Sequence, residues 1–438
     1  MRHASHPFEA DCPPIAPDLK RFAQKAPILC ATATPGGIVT TTERASIDLI
    51  FTFDSTLHDV LREAARQGPL ATDATTGATI ALRQRDVEEL AHDPRLIGVG
   101  LTFFDLMGIT DGPLRDWYGR LMFTTEGDYH RRIRSLVSRA FTPRSVGALR
   151  AAATEMATAA VASARTSGDL LALSSIGTRM ICRLLGVPDG DDAVFTKWAE
   201  ALSPVFSMMT PEQIADATTA IVEMQSYVDD LTTRRSSDPE GDLITSLLAA
   251  EADGERLTHA ETVTMIANLL VAGHDTAGSQ IPCSILVALQ HRDELDGALD
   301  DPARFASAVS ETMRLEPSIP MIPRTAVAPI ELHDTTIPAG SMVFLCIASA
   351  CRDASAWPEP DQFDAERFTR PDSAKLLNFG AGTHYCLGTA LAKVAVEETV
   401  RAVLAADPPL CLTENVDEIP WRQVLGRSPA RLTVSSEG

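Results

Sequence analysis

The sequence has no uncharged apolar stretch of about 18 residues, the length a bilayer-crossing helix needs, so no membrane anchor is expected. Its first residues lack the basic start, apolar run and small-residue cleavage site of a secretion signal, and a cytoplasmic location is expected. Its eight cysteines form no CxxC pair, which disfavours a zinc ribbon or a disulfide framework and fits a reducing compartment. Positive charge is scarce. The 38 Lys and Arg against 59 Asp and Glu leave a formal net charge of −21, which repels phosphate backbones and anionic lipid, so nucleic-acid binding is disfavoured. No internal repeat is visible.

What is present, 45% hydrophobic and 22% charged residues, suits a soluble globular chain with a large core. Residues 1–49 hold Pro13, Pro14, Pro17, Pro27 and Pro35 and a Thr-rich run, and read as a partly disordered tail; residues 50–438 read as one domain. From Ser55 the spacing predicts a helix, then two short strands around 69–72 and 80–83 flanking the Thr76-Gly77 turn. From Val87 to about Gln290 nearly every segment has helical period, with stops at Pro143, Gly186-Val187-Pro188, Pro211 and Pro239. The last of these helices is long and apolar, and Thr258 with Glu261 three residues on predicts a capping box at its start. Period-2 alternation over 320–344 predicts returning strands. The fold expected is mainly α with a small β-sheet.

Four groups of residues carry candidate chemistry. In Phe379-Gly380-Ala381-Gly382-Thr383-His384-Tyr385-Cys386-Leu387-Gly388 two glycines permit a tight turn, and one cysteine stands at the mouth of the next helix, where backbone N–H groups favour a thiolate. In Ala272-Gly273-His274-Asp275-Thr276, deep in the long helix, Gly273 is expected to clear space for a flat ligand, and Thr276 shares its face; a buried Asp275 is costly without a task or partner. Pro282 cannot donate to the Gly278 carbonyl and should loosen the helix. His274 reads as a bystander or a substrate contact. Glu311 and Arg314, three apart, share a helix face, where a carboxylate can accept two guanidinium hydrogen bonds. His130 and Arg134, four apart, share another and could clamp a carboxylate.

Together these strings resemble the cytochrome P-450 family. The Cys string matches the family's heme signature, FGxGxHxCxG, at every fixed position, although Lys393 and Ala395 stand where Arg and Glu are usual; Cys351 likewise replaces a common Asn. The resemblance implies heme b as cofactor, with Cys386 as iron ligand, Phe379 and Gly388 beside it, and His384, His130, Arg134 and Arg324 around the propionates. It implies that Glu311, Arg314 and Arg367 form a structural network. It also implies that Ala272, Gly273, Asp275 and Thr276 form the oxygen-activating turn, where a hydroxyl and a water-linked carboxylate can deliver protons in a dry site.

The activity implied is insertion of one oxygen atom from O2 into a lipophilic small molecule, by hydroxylation or epoxidation, in a monomer. With no room for a fused reductase, electrons are expected from a ferredoxin or flavodoxin with its NAD(P)H-dependent reductase. The stretch 131–154 carries six arginines and no acid, and docking is expected near Arg131, Arg132, Lys375 and Lys393; a merely solvated basic helix is the other reading. Phe103, Phe104, Met107, Met208, Leu269, Ile319 and Met321 are the expected pocket lining. The alternatives are a peroxide-driven or oxidative-coupling heme-thiolate enzyme, and a heme-thiolate sensor without turnover.

Overall fold

The computed structural model describes residues 44–49, 52–141, 146–252, 254–423 and 425–436. Two short strands with β-branched or small residues, β1 (Ala45–Ile47) and β2 (Leu70–Asp73), run parallel, with Ala45 opposite Ala71. The helix α1 (Leu57–Gln67) lies between them in the chain and buries Leu57, Leu61 and Ala64, its i, i+4, i+7 stripe. The turn at Thr76-Gly77 returns the chain as β3 (Thr79–Ala81), antiparallel to β2. The expectation that the tail extends to residue 49 is therefore corrected: Ala45 and Ile47 are buried, and their strand is an edge of the sheet. Residues 1–43 lie outside the described residues.

The helices α2 (Gln84–His92), α3 (Gly127–Ala140), α4 (Arg150–Ser167), α5 (Ile176–Leu185), α6 (Pro211–Ser237), α7 (His259–Gln290), α8 (Pro302–Leu315) and α9 (Thr389–Leu404) build the helical part. With β4 (Leu96–Ile97), β5 (Ile322–Ala326) and β6 (Met342–Leu345), the sheet has the order β1-β2-β3-β6-β5-β4. The parallel β3–β6 pair, with Ile80 opposite Phe344, joins strands some 260 residues apart and brings β5 beside them. A C-terminal hairpin of β7 (Trp421–Gln423) and β8 (Arg427–Pro429) leans on α7.

The capping box at the start of α7 is present: the Thr258 hydroxyl accepts from Glu261 N–H at 3.2 Å, and the Glu261 carboxylate accepts from Thr258 N–H at 2.8 Å. From there 32 residues run as one helix, unbroken at Pro282. It is packed by α5, α6, α8 and α9, which explains a mostly apolar sequence buried on nearly every side. Burial is nearly continuous before and after residues 272–276 and lapses there, with Ala272 exposed in mid-helix.

Candidate functional site

The Cys loop is closed by Cys386 N–H donating to the Phe379 carbonyl at 2.9 Å. Gly380 and Gly382 hold φ of +67° and +66°, and a Cβ on Gly382 would stand 2.4 Å from the Ala91 carbonyl oxygen, so the loop rests on α2 only because that side chain is missing. Cys386 precedes α9 by three residues. Burial by the surrounding loop pushes its thiol up, while the Gly388 N–H, the Thr389 hydroxyl and the charge of Arg134 pull the other way. One side of the residue is exposed. Phe379 packs half-buried against the helical core.

The expected propionate residues come together although they lie on α3, β5 and the Cys loop. The His130 and His384 rings are 4.5 Å apart, and Arg134 donates to the Tyr385 carbonyl. His130 is fully buried, and neither ring nitrogen has a hydrogen-bond partner; burial first, then His384 and Arg134, lower its pKa to about 4. Arg324 is largely buried with one hydrogen bond, to the adjacent Pro323 carbonyl at 3.1 Å, and burial lowers its pKa against the pull of Glu126. Glu126 is the member that sequence reasoning missed. Its carboxylate pairs with His384 Nε2 at 3.0 Å and accepts from Gly98 N–H at 2.8 Å. An acid just before a helix is ordinary, so nothing in the sequence marked it.

These residues fit the heme that the resemblance implies. Two orphaned ring nitrogens and two under-compensated guanidiniums, all on one side of a partly exposed thiol, offer cations and donors for two carboxylates and a sulfur for iron.

On α7, the Thr276 hydroxyl donates to the Ala272 carbonyl at 2.8 Å, which leaves its oxygen able to accept. Asp275 is mostly buried, and its Oδ2 has no partner. Burial pushes its carboxyl up, against the Ser203 hydroxyl and His274, and burial likewise lowers His274 against the charge of Asp275. His274 has a partner on a neighbouring helix. Its Nδ1 meets the Thr178 hydroxyl of α5 at 2.6 Å. The role expected for Gly273 is also corrected: a Cβ there would point at Ile181, 3.2 Å away, so the glycine serves the close approach of α5 to α7 and not ligand clearance.

The Glu311 network forms as expected. Glu311 takes two 2.7 Å hydrogen bonds from Arg314 and one of 2.9 Å from Arg367, all three residues being buried. Arg314 also reaches the carbonyls of Cys351 and Pro360, and Arg367 that of Pro358, so backbone oxygens satisfy the second guanidinium. Asn378, just before the Cys string, donates to the Met313 carbonyl of α8 at 2.8 Å and ties the loop to this network.

Two expectations change. Three of the six arginines in the basic stretch are compensated, since Arg131 meets Asp128, Arg132 meets Glu261 and Glu255, and Arg150 meets Glu397 and Glu398; outside it Lys375 meets Glu88. Most of those acids lie more than 100 residues away in sequence, which is why the stretch looked bare. Lys393 is half-buried, Arg139 is exposed, and Arg144 lies outside the described residues. Among the pocket candidates, Phe104 is core, fully buried and stacked on Tyr118 at 4.4 Å. Phe103 and Met321 pack beside the sheet, whereas Met107 and Leu269 belong to the helical cluster. Met208 and Ile319 are half-buried. Phe123, unforeseen, is exposed and edges Tyr118 and Phe206.

Comparison with known proteins agrees with this geometry. The family model described as Cytochrome P450 matches residues 305–406, from α8 through α9. The chain is similar to the vitamin D(3) 25-hydroxylase of Pseudonocardia autotrophica, 34% identical over 322 residues, 72% of this chain and 77% of that protein. It is similar to the 6-deoxyerythronolide B hydroxylase of Saccharopolyspora erythraea, 30% identical over 83% of this chain and 91% of that protein. The solved structure of CalO2 superposes with a TM-score of 0.80 at 25% identity, over 89% of this chain and 99% of that one. No helix among the described residues is long and apolar enough to cross a membrane. With the loop, the buried network and the opened turn of α7 in place, and with relatives matched over most of their length, the chain belongs to the cytochrome P450 family of heme-dependent monooxygenases.

Proposed function

We propose that the protein binds heme b through the Cys386 thiolate and hydroxylates or epoxidises a lipophilic small molecule. The observation that carries this is the pair of openings in an otherwise packed core: an exposed Cys386 at the foot of α9, and an exposed Ala272 on α7, the helix against which α9 packs. Heme held there supplies activation of O2 with two electrons. The protein's part is to hold and to time. Arg134 and Arg324 would neutralise the propionates, His130 and His384 would donate hydrogen bonds to them, and Glu126 limits the positive charge. Thr276, its hydrogen already given to the Ala272 carbonyl, has an oxygen free to accept from a water in the site and would hold that water in place. Asp275, whose carboxyl burial pushes up, is the nearby acid that would exchange protons with that water.

Electrons come from a ferredoxin or flavodoxin served by an NAD(P)H-dependent reductase, docking on the face of Arg131, Arg132, Lys375 and Lys393. The ion pairs of Arg131 and Lys375 there are exposed at the cation and worth roughly 0–1 kcal/mol each, so an acidic partner can displace them. The test is Cys386→Ala: heme-loaded wild type should give the thiolate-type spectrum of the reduced carbon monoxide complex, and the variant should not. Persistence of that spectrum in the variant refutes the assignment. Heme-loaded protein that consumes no O2 with any redox partner in the presence of bound ligands would favour the sensor reading instead.

A further inference from the structure

A second buried network lies one turn along α7 from Thr276. Gln280, one turn beyond Thr276 and buried, uses both ends of its amide on a single segment: Oε1 accepts from Ser318 N–H at 3.0 Å, and Nε2 donates to the Glu316 carbonyl at 3.0 Å. The Ser318 hydroxyl donates to the Thr276 carbonyl at 3.4 Å. From the far side, Arg427 of β8 donates its own N–H to the Ser318 carbonyl at 2.7 Å and its guanidinium to the Glu316 carboxylate at 2.6 Å. His58 of α1 completes the cluster at 3.1 Å, and burial notwithstanding, His58, Arg427 and Arg352 hold the Glu316 carboxyl well below the usual range. The hairpin presses in closely: a Cβ on Gly426 would be 2.6 Å from Ser279.

Segment 316–318 runs directly into Ile319 and Met321, the expected substrate wall. A side-chain amide gives and takes hydrogen bonds at once without carrying charge, so the pairing fixes the segment against the turn of Thr276 in distance and in register. We propose that Gln280 is a positioning residue that sets the gap between the Thr276 turn of α7 and the wall at 319–321, and so decides what fits above the heme. This rests on the oxygenation reading, because the gap matters only if that turn serves the reaction.

The test uses resting heme-loaded protein and two azoles that ligate heme iron, imidazole and 4-phenylimidazole, titrated by the Soret shift. Gln280→Met keeps the volume and loses both hydrogen bonds. The ratio of the two dissociation constants should change about tenfold, with imidazole itself changed less than about threefold, the effect of one or two lost hydrogen bonds on a gap only the larger azole feels. Gln280→Glu keeps the acceptor for Ser318 and should fall between. Ser284→Ala, which removes the third partner of the Gln280 amide at 3.2 Å, should leave the ratio at the wild-type value. An unchanged ratio in Gln280→Met overturns the proposal. So does loss of heme in that variant combined with a wild-type ratio in Gln280→Glu, which would make the side chain part of the fold and nothing more. Since no turnover is measured, failure here is separate from a failure to consume O2.

Discussion

Replacing Glu311 by Gln removes the only carboxylate between two buried guanidiniums. In the wild type that carboxylate accepts four hydrogen bonds, two from Arg314, one from Arg367 and one from Asp364 N–H at 3.2 Å. The amide keeps the shape and one oxygen, but it turns an N–H2 group toward donors and leaves two positive charges uncompensated at zero to 3% exposure. Breaking a buried pair from one side costs roughly 3–5 kcal/mol. With an unfolding entropy of about 2.1 cal/mol/K per residue, 438 residues give about 0.9 kcal/mol/K, so a loss spread over the whole fold lowers Tm by about 3–5 °C. If the loss falls instead on the Cys loop, which Asn378 ties to α8, the same energy is two to three orders of magnitude in heme affinity, at about 1.4 kcal/mol per tenfold. The assays are the heme-to-protein ratio after gel filtration and scanning calorimetry on the heme-loaded protein. A Glu311→Gln variant with full heme and a Tm within about 1 °C of wild type would refute the idea that this network secures the heme region.

Four further outcomes are expected. Cys386→Ala should lose the thiolate-type carbon monoxide spectrum while retaining the far-ultraviolet helix signal, since the residue makes no core contact that a methyl group cannot. Thr276→Ala should divert electrons to hydrogen peroxide, lowering product per electron roughly tenfold as measured against NAD(P)H consumed; an unchanged yield would remove the hydroxyl from proton handling. Because burial raises the Asp275 carboxyl, its favourable protonated form is fully present below the unfolded value of about 3.9 and is lost as pH rises through the raised folded value. Asp275→Asn should therefore gain in Tm relative to wild type as pH is raised, and a difference independent of pH would contradict the burial argument. Gly382→Ala, which sets a methyl 2.4 Å from the Ala91 carbonyl at positive φ, should cost about 1–3 kcal/mol and show as reduced heme loading, whereas a fully loaded, equally stable variant would mean that the loop does not need its seat on α2.

The local grammar was legible in the chain itself. The capping box at Thr258, the helix stops at Gly186 and Pro239, the strands about Gly77 and the glycine-flanked Cys386 follow from propensities and spacings acting over a few residues, and the structure has each of them, while the stop at Pro143 lies outside the described residues. So does the pairing of Glu311 with Arg314, because three residues along a helix always share a face. The tail boundary was misplaced for the converse reason: the strand at Ala45 forms only because β2 lies beside it, and a three-residue strand carries almost no signal of its own.

What only the tertiary structure decided is which charges meet and which side chains are sealed. The basic stretch after Arg131 has its acids on distant elements, Phe104 is locked against Tyr118, and Gly273 faces Ile181. Glu126 beside His384 and Gln280 beside Ser318 are polar residues that sequence alone would leave in solvent. Short-range sterics and helix periodicity are written in consecutive residues, whereas electrostatic compensation and burial depend on distances across the core, and those are set by how α7 is packed by its neighbours.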